Sequence, residues 1–156
     1  KCPVLFITKG SQLYFSVQHF NKPLEEGMGF SAVVHANGLL HLAGIISVNE
    51  KGEVVAPGDV SAQIDRIYDI MEETLAKNGA TLEHVVSEVL YTTDMDQLMQ
   101  AISVRTRRYA GYAYPAVTAV QVSALAFTDA LLEIQATAQL DGQEWSPEIA
   151  PVGSPV

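Results

Sequence analysis

Few side chains in this sequence have the type and spacing that chemistry requires. His19, His35, His41 and His84 show no HExxH or other paired spacing, and no cysteines stand beside them, so no metal site is expected. His41, inside LLHLAG, reads as a strand residue with a local hydrogen bond rather than a general base. Cys2 is the single cysteine and cannot build an internal disulfide framework. Arg105, Arg107 and Arg108 form one basic knot, whose plain reading is a helix end where cations offset the dipole. Glu133 stands in LLEIQATAQL, an alternating segment. Its apolar face is Leu132, Ile134, Ala136, Ala138 and Leu140; its other face is Glu133, Gln135, Thr137 and Gln139. YPAVTAVQVSAL, residues 114–125, is an uncharged strand with Val117, Ala119 and Gln121 on one side and Thr118, Val120 and Val122 on the other. Whether Val117 belongs to a site or only to a wall is the question that strand raises.

The remaining elements must position these residues. Two short apolar runs around Lys9-Gly10-Ser11 suit an extra hairpin or a strand preceding the main domain. NKPLEEGMG, residues 21–29, reads as a loop. Asn37-Gly38 between apolar segments is the strongest hairpin signal, and Gly44 then interrupts the second strand as a bulge or a close backbone approach would. Val60, Ile64, Ile67, Met71 and Leu75 give one helical stripe, capped by Asp59 or Ser61 and ended by Asn78-Gly79. Glu83 to Thr93 returns as a strand. Asp94 caps a second helix with Leu98, Ile102, Arg105 and Tyr109 along one side. Strands over 116–125 and 130–140, joined at Thr128-Asp129, complete the order β-β-α-β-α-β-β, an α+β domain.

Bulk properties narrow the function classes. The chain has 156 residues, enough for one domain with a real core, and 48% hydrophobic residues. Its net charge of −9 repels phosphate backbones and argues against nucleic-acid binding. No apolar run approaches the roughly 20 residues of a membrane helix, so a soluble protein is expected. Both helices lie on one face of the sheet, so the other face is bare. Packing against copies of itself is the economical way to cover it.

LLHLAGIISVNEKGEVVAPGDVSAQIDRIYDIMEETLAKNGATLEHVVSEVLYTTDMDQL, YPAVTAV and LLEIQATA closely resemble the RidA/YjgF family, often labelled endoribonuclease L-PSP. The resemblance runs from about Phe30 to Leu140. It divides the chain into an N-terminal extension and loop (1–29), a RidA/YjgF-like domain (30–140) and an irregular, Pro-rich tail (141–156) whose Trp145 either anchors to a neighbour or is exposed. It implies a chorismate-mutase-like fold, a homotrimer with a central barrel of sheets, clefts between subunits, a cytoplasmic location and no cofactor. It also implies chemistry: a water adds to the C=N carbon of an imine or enamine, releasing ammonia.

Carried over position by position, the family's catalytic glutamate falls on Glu133, and its glycine on Gly44 after Ala43. Its carboxylate-binding arginine falls on Val117, followed by Thr118, and its cysteine falls on Ala119. Phe30 and Ile102 stand for its tyrosine and asparagine. Losing that arginine weakens binding of a simple 2-imino acid by about tenfold to a few hundredfold. Arg105, one turn beyond Ile102, offers a carboxylate partner from a new direction; an ordinary surface cation is the plainer reading. Three functions follow. The first is a deaminase of altered specificity acting on a small metabolite. The second is a non-catalytic small-ligand-binding trimer. The third, opposed by the acidic balance, is the ribonuclease of the family label.

Overall fold

The computed structural model describes residues 6–8, 11–13 and 15–140. Cys2, Trp145 and the tail at 141–156 lie outside them. The elements are β1 (Phe6–Thr8), β2 (Ser11–Leu13), β3 (Phe15–Gln18), α1 (Lys22–Met28), β4 (Val33–Ala36), β5 (Leu39–Ile46), α2 (Val60–Lys77), β6 (Val85–Thr92), α3 (Met95–Arg108), β7 (Ala116–Gln121) and β8 (Leu132–Gln139). β1 and β2 pair as a hairpin, and β3 joins the main sheet, whose order is β3-β4-β5-β8-β6-β7. Among the described strands only β6 and β7 run parallel, joined across α3.

Local chemistry sets most of these boundaries. Asn37 and Gly38 both take positive φ, at 52° and 76°, which is the mirror-image turn a tight β4–β5 hairpin needs. Asp59, rather than Ser61, caps α2 by accepting from Ala62 N at 3.0 Å. Asp94 caps α3 in the same way, accepting from Gln97 N at 3.0 Å. Gly79, at φ 74°, follows the C-cap Asn78 where a side chain would be strained.

One face of the sheet carries the core. Val60, Ile64, Ile67, Met71 and Leu75 of α2 are all buried against Leu132, Ile134, Ala136 and Ala138 of β8. Each large side chain among them contributes about 1.5–3 kcal/mol by leaving water. The α3 stripe is rotated from the expected one: Leu98, Ala101, Val104, Arg105 and Tyr109 are buried, and Ile102 only partly so.

Three other expectations are corrected. Residues 22–28 form a helix rather than a loop, because Asn21 accepts from Leu24 N and Pro23 fits the first turn. Leu82–His84 is a 3₁₀ turn before β6. β7 ends at Gln121 and β8 starts at Leu132, so a ten-residue connection replaces the short turn.

Among the described residues no helix covers the opposite face of the sheet. Register places Glu133 beside Tyr91 and Ile46, and Tyr91 beside Val120, all on that face. Among the described residues no helix is long and apolar enough to cross a membrane.

Candidate active site

The site is built around an irregularity in β5. Leu42 pairs with Ala136 and Ile45 with Ile134, so β5 spends three steps where β8 spends two. The extra residue is accommodated at Ala43-Gly44, the bulge expected from the sequence. Glu133 uses it. A Cβ added at Gly44 would lie 2.9 Å from Glu133 Cγ and 2.6 Å from Cδ, and would overlap Oε1. Glycine is therefore what lets the glutamate lie across β5. The Glu133 carboxylate is half-buried and has no hydrogen-bond partner among the described residues. Burial raises its pKa above the ordinary glutamate range.

Gly44 also borders a groove of about 1120 Å³. β4 begins only at Val33, and its last tie to β5 is Ala43 N donating to Ala32 O at 2.9 Å. Beyond that point the segment carrying α1 swings away, and the groove opens between it, β5 and α2. Ala43, Gly44, Phe30, Phe127 and Ile70 give it apolar walls. Phe30 is 41% exposed, so the aromatic ring is presented to whatever enters.

The remaining candidates sit elsewhere. Val117 is in register with Glu88, whose side chain turns toward the helices, so Val117 and Ala119 share that side. Thr118 lies on the same face as Glu133. Val117 is 43% exposed, and every residue of β7 is open to solvent at the edge of the sheet. Ile102 is on α3, which leads into that edge strand. Within one chain, Glu133 and Val117 therefore face opposite sides of the sheet and do not meet.

Arg105 is neither a surface cation nor a free carboxylate partner. It is 6% exposed beneath the sheet, where its Nε donates to Glu88 Oε2 at 3.0 Å. Tyr68 and Tyr109 donate to Glu88 Oε1 at 2.8 and 2.6 Å. Burial works against the Arg105 charge, but Tyr68, Glu88 and Tyr109 outweigh it and hold its pKa up. Desolvation, with Glu88 beside them, pushes both tyrosines well above their ordinary range. With its acceptors and donors satisfied, this cluster is a structural joint between α2, α3 and β6. Arg108 of the same knot is tied to Asp65, Asp69 and Glu72 of α2.

Sequence reasoning passed over one titratable pair. His19 Nδ1 lies 2.6 Å from Glu25 Oε2, and both residues line the groove. Glu25 Oε1 accepts the N–H groups of Phe20 and Asn21, each at 2.8 Å. Burial pushes the Glu25 pKa upward, but those two N–H groups and His19 outweigh it, and the net shift is downward. The pair is six residues apart across a helix start, a spacing that no paired-histidine motif would flag.

A six-stranded mixed sheet with helices is the α+β fold of solved Rid/YjgF family members. The chain belongs to the endoribonuclease L-PSP family, which matches residues 21–140, the family also known as RidA/YjgF. A RutC family protein of Pyrococcus horikoshii is 30% identical over 109 residues, covering 70% of this chain and 85% of its own. The RutC family protein YjgH of Escherichia coli is 28% identical over 115 residues, covering 73% of this chain and 85% of its own. Among solved structures, a YjgF family member from Mycobacterium tuberculosis superposes with a TM-score of 0.69 at 25% identity, covering 81% of this chain and 99% of its own. A Rid family protein of unknown function from Yersinia pestis gives 0.68 at 26% identity, covering 72% and 88%.

Proposed function

We propose that this protein is an imine or enamine hydrolase of the Rid type, working as a cytoplasmic homotrimer on a substrate more apolar than a simple 2-imino acid. One observation carries the reading: Glu133, half-buried and without a hydrogen-bond partner among the described residues, lies over the Gly44 bulge on the sheet face that no described helix covers. A carboxylate whose pKa is raised by desolvation is a stronger base, suited to taking a proton from water as its oxygen bonds to the C=N carbon. The hydrated carbon then releases ammonia and becomes a carbonyl.

The two half-sites support assembly. One carries Glu133 over Gly44; the other carries Val117 and Ala119 on the exposed edge strand, with Ile102 on the helix that leads into it. They face apart in one chain, so a second copy is required to bring them into one cleft. Val117 in place of the family's arginine leaves that cleft without its carboxylate clamp, and this favours an apolar substrate.

Imines generated by an amine oxidase from isoamylamine, phenethylamine and benzylamine, and so lacking the carboxylate of a 2-imino acid, provide the test. Accelerated ammonia release that disappears in Glu133→Gln is the expected result. Release at the uncatalysed rate with all three imines, from folded trimer, overturns it.

A further inference from the structure

We infer that the groove between the α1 segment, β5 and α2 is a second ligand site, one that takes a monocarboxylate with an elongated apolar body and holds the carboxylate on Arg66. The inference does not rest on the hydrolase reading. Glu133 is not one of the groove's walls, and strand register turns it to the sheet face away from α2.

Charge singles the groove out. The chain carries 18 Asp and Glu against nine Lys and Arg, yet the two signs are even here: Lys22, Arg66 and Lys77 face Glu25, Glu50 and Glu73. The Glu25 carboxylate is already engaged by three donors, Phe20 N and Asn21 N on Oε1 and His19 Nδ1 on Oε2. Glu50 and Glu73 are exposed, where water weakens their repulsion. An incoming anion therefore meets less repulsion in this groove than over the rest of an acidic surface.

Arg66 is the cation placed to hold that anion. Lys22 pairs with Glu26 at 3.5 Å, and Lys77 sits 5.9 Å from the centre of the Phe20 ring. Arg105 and Arg108 are held in ion pairs. Arg66 is partly buried and makes no ion pair among the described residues; its Nε donates to Val48 O at 2.9 Å. That bond orients the guanidinium and leaves both terminal nitrogens to donate side by side, the geometry a carboxylate accepts. Apolar wall begins one turn along α2 at Ile70 and continues in Phe30 and Phe127. Lys77 lines the groove eleven residues beyond Arg66 on the same helix, about 16 Å at 1.5 Å per residue. A groove of that length suits an extended chain better than a compact metabolite.

The probe is octanoate, titrated into the full chain by calorimetry beside octan-1-ol, which has the same chain length and no charge. Saturable octanoate binding is expected, about tenfold to a hundredfold tighter than octanol, with amide shift changes concentrated in residues 48–52 and 66–77. Arg66→Met should lower octanoate affinity to that of octanol. Arg66→Lys keeps the charge but loses the fork, and should fall between the two. If Arg66→Met does not fold, the octanol comparison and Arg66→Lys still test the site. Equal affinity for octanoate and octanol overturns the inference, as does the absence of saturable octanoate binding up to about 1 mM. Unchanged octanoate binding in either variant, or shift changes confined to the β7 edge, overturns it too. Glu133→Gln should bind octanoate as wild type does, so this inference and the hydrolase reading fail or stand separately.

Discussion

The contact between Gly44 and Glu133 can be measured directly. Gly44 does not have positive φ, so its backbone accepts alanine. By itself, replacing glycine with alanine at a compatible position stabilises by about 0.4–1 kcal/mol through the unfolded chain. Here the new methyl would sit 2.6 Å from Glu133 Cδ and overlap Oε1, so the glutamate must leave its place. Overpacking of this kind costs about 1–3 kcal/mol. Gly44→Ala should therefore range from neutral to about 2.5 kcal/mol less stable in the wild-type background. In a Glu133→Ala background the same change should stabilise by up to about 1 kcal/mol. Urea unfolding of the four proteins at one protein concentration closes the cycle, with an expected coupling of about 1–3 kcal/mol. Imine hydrolysis should fall in Gly44→Ala as far as in Glu133→Gln, although the carboxylate is still present. Additive stabilities, within about 0.3 kcal/mol, would show that Glu133 does not lie over the bulge, and the reasoning about the site would fail.

Arg105→Met should lower stability by about 3–5 kcal/mol, read from the urea midpoint, because it leaves the Glu88 carboxylate buried without its cation. Val117→Arg places a guanidinium on an exposed edge strand, so stability should change by less than about 0.5 kcal/mol. Activity on small 2-imino acids should rise by about tenfold to a few hundredfold in kcat/KM; no rise would remove Val117 from the cleft. Glu133, an acid whose folded pKa is raised, contributes stability that is fully present below its ordinary value of 4.5 and is lost as pH rises through the folded value. Glu133→Gln should accordingly have a higher Tm than wild type at pH 8 and an equal one near pH 4. Glu25 has the opposite sign, its folded pKa being lowered. Glu25→Gln should be less stable than wild type at pH 7, with the gap closing as pH falls below 4.5.

Local rules made much of the fold legible. Asn37-Gly38, the caps Asp59 and Asp94, and the α2 stripe depend on residues within a turn or two of one another, so short-range chemistry decides them. The alternation in β8 likewise fixed which of its faces is buried, and Gly44 announced the bulge. Resemblance then supplied the roles assigned to Glu133 and Val117.

What the sequence could not decide depends on residues far apart along the chain. Arg105 and Glu88 are separated by 17 positions, and only the packing of α3 under β6 turns a cation in a basic knot into a buried partner. The α1 segment looked like a loop because its Gly and Pro content outweighed a cap and two N–H bonds that appear only once Glu25 folds back. Glu133 and Val117 were placed in one cleft by resemblance, whereas the strand register sets them on opposite faces of one chain. Pairing partners determine which side a residue faces, and those partners, unlike caps and turns, are chosen by the tertiary fold.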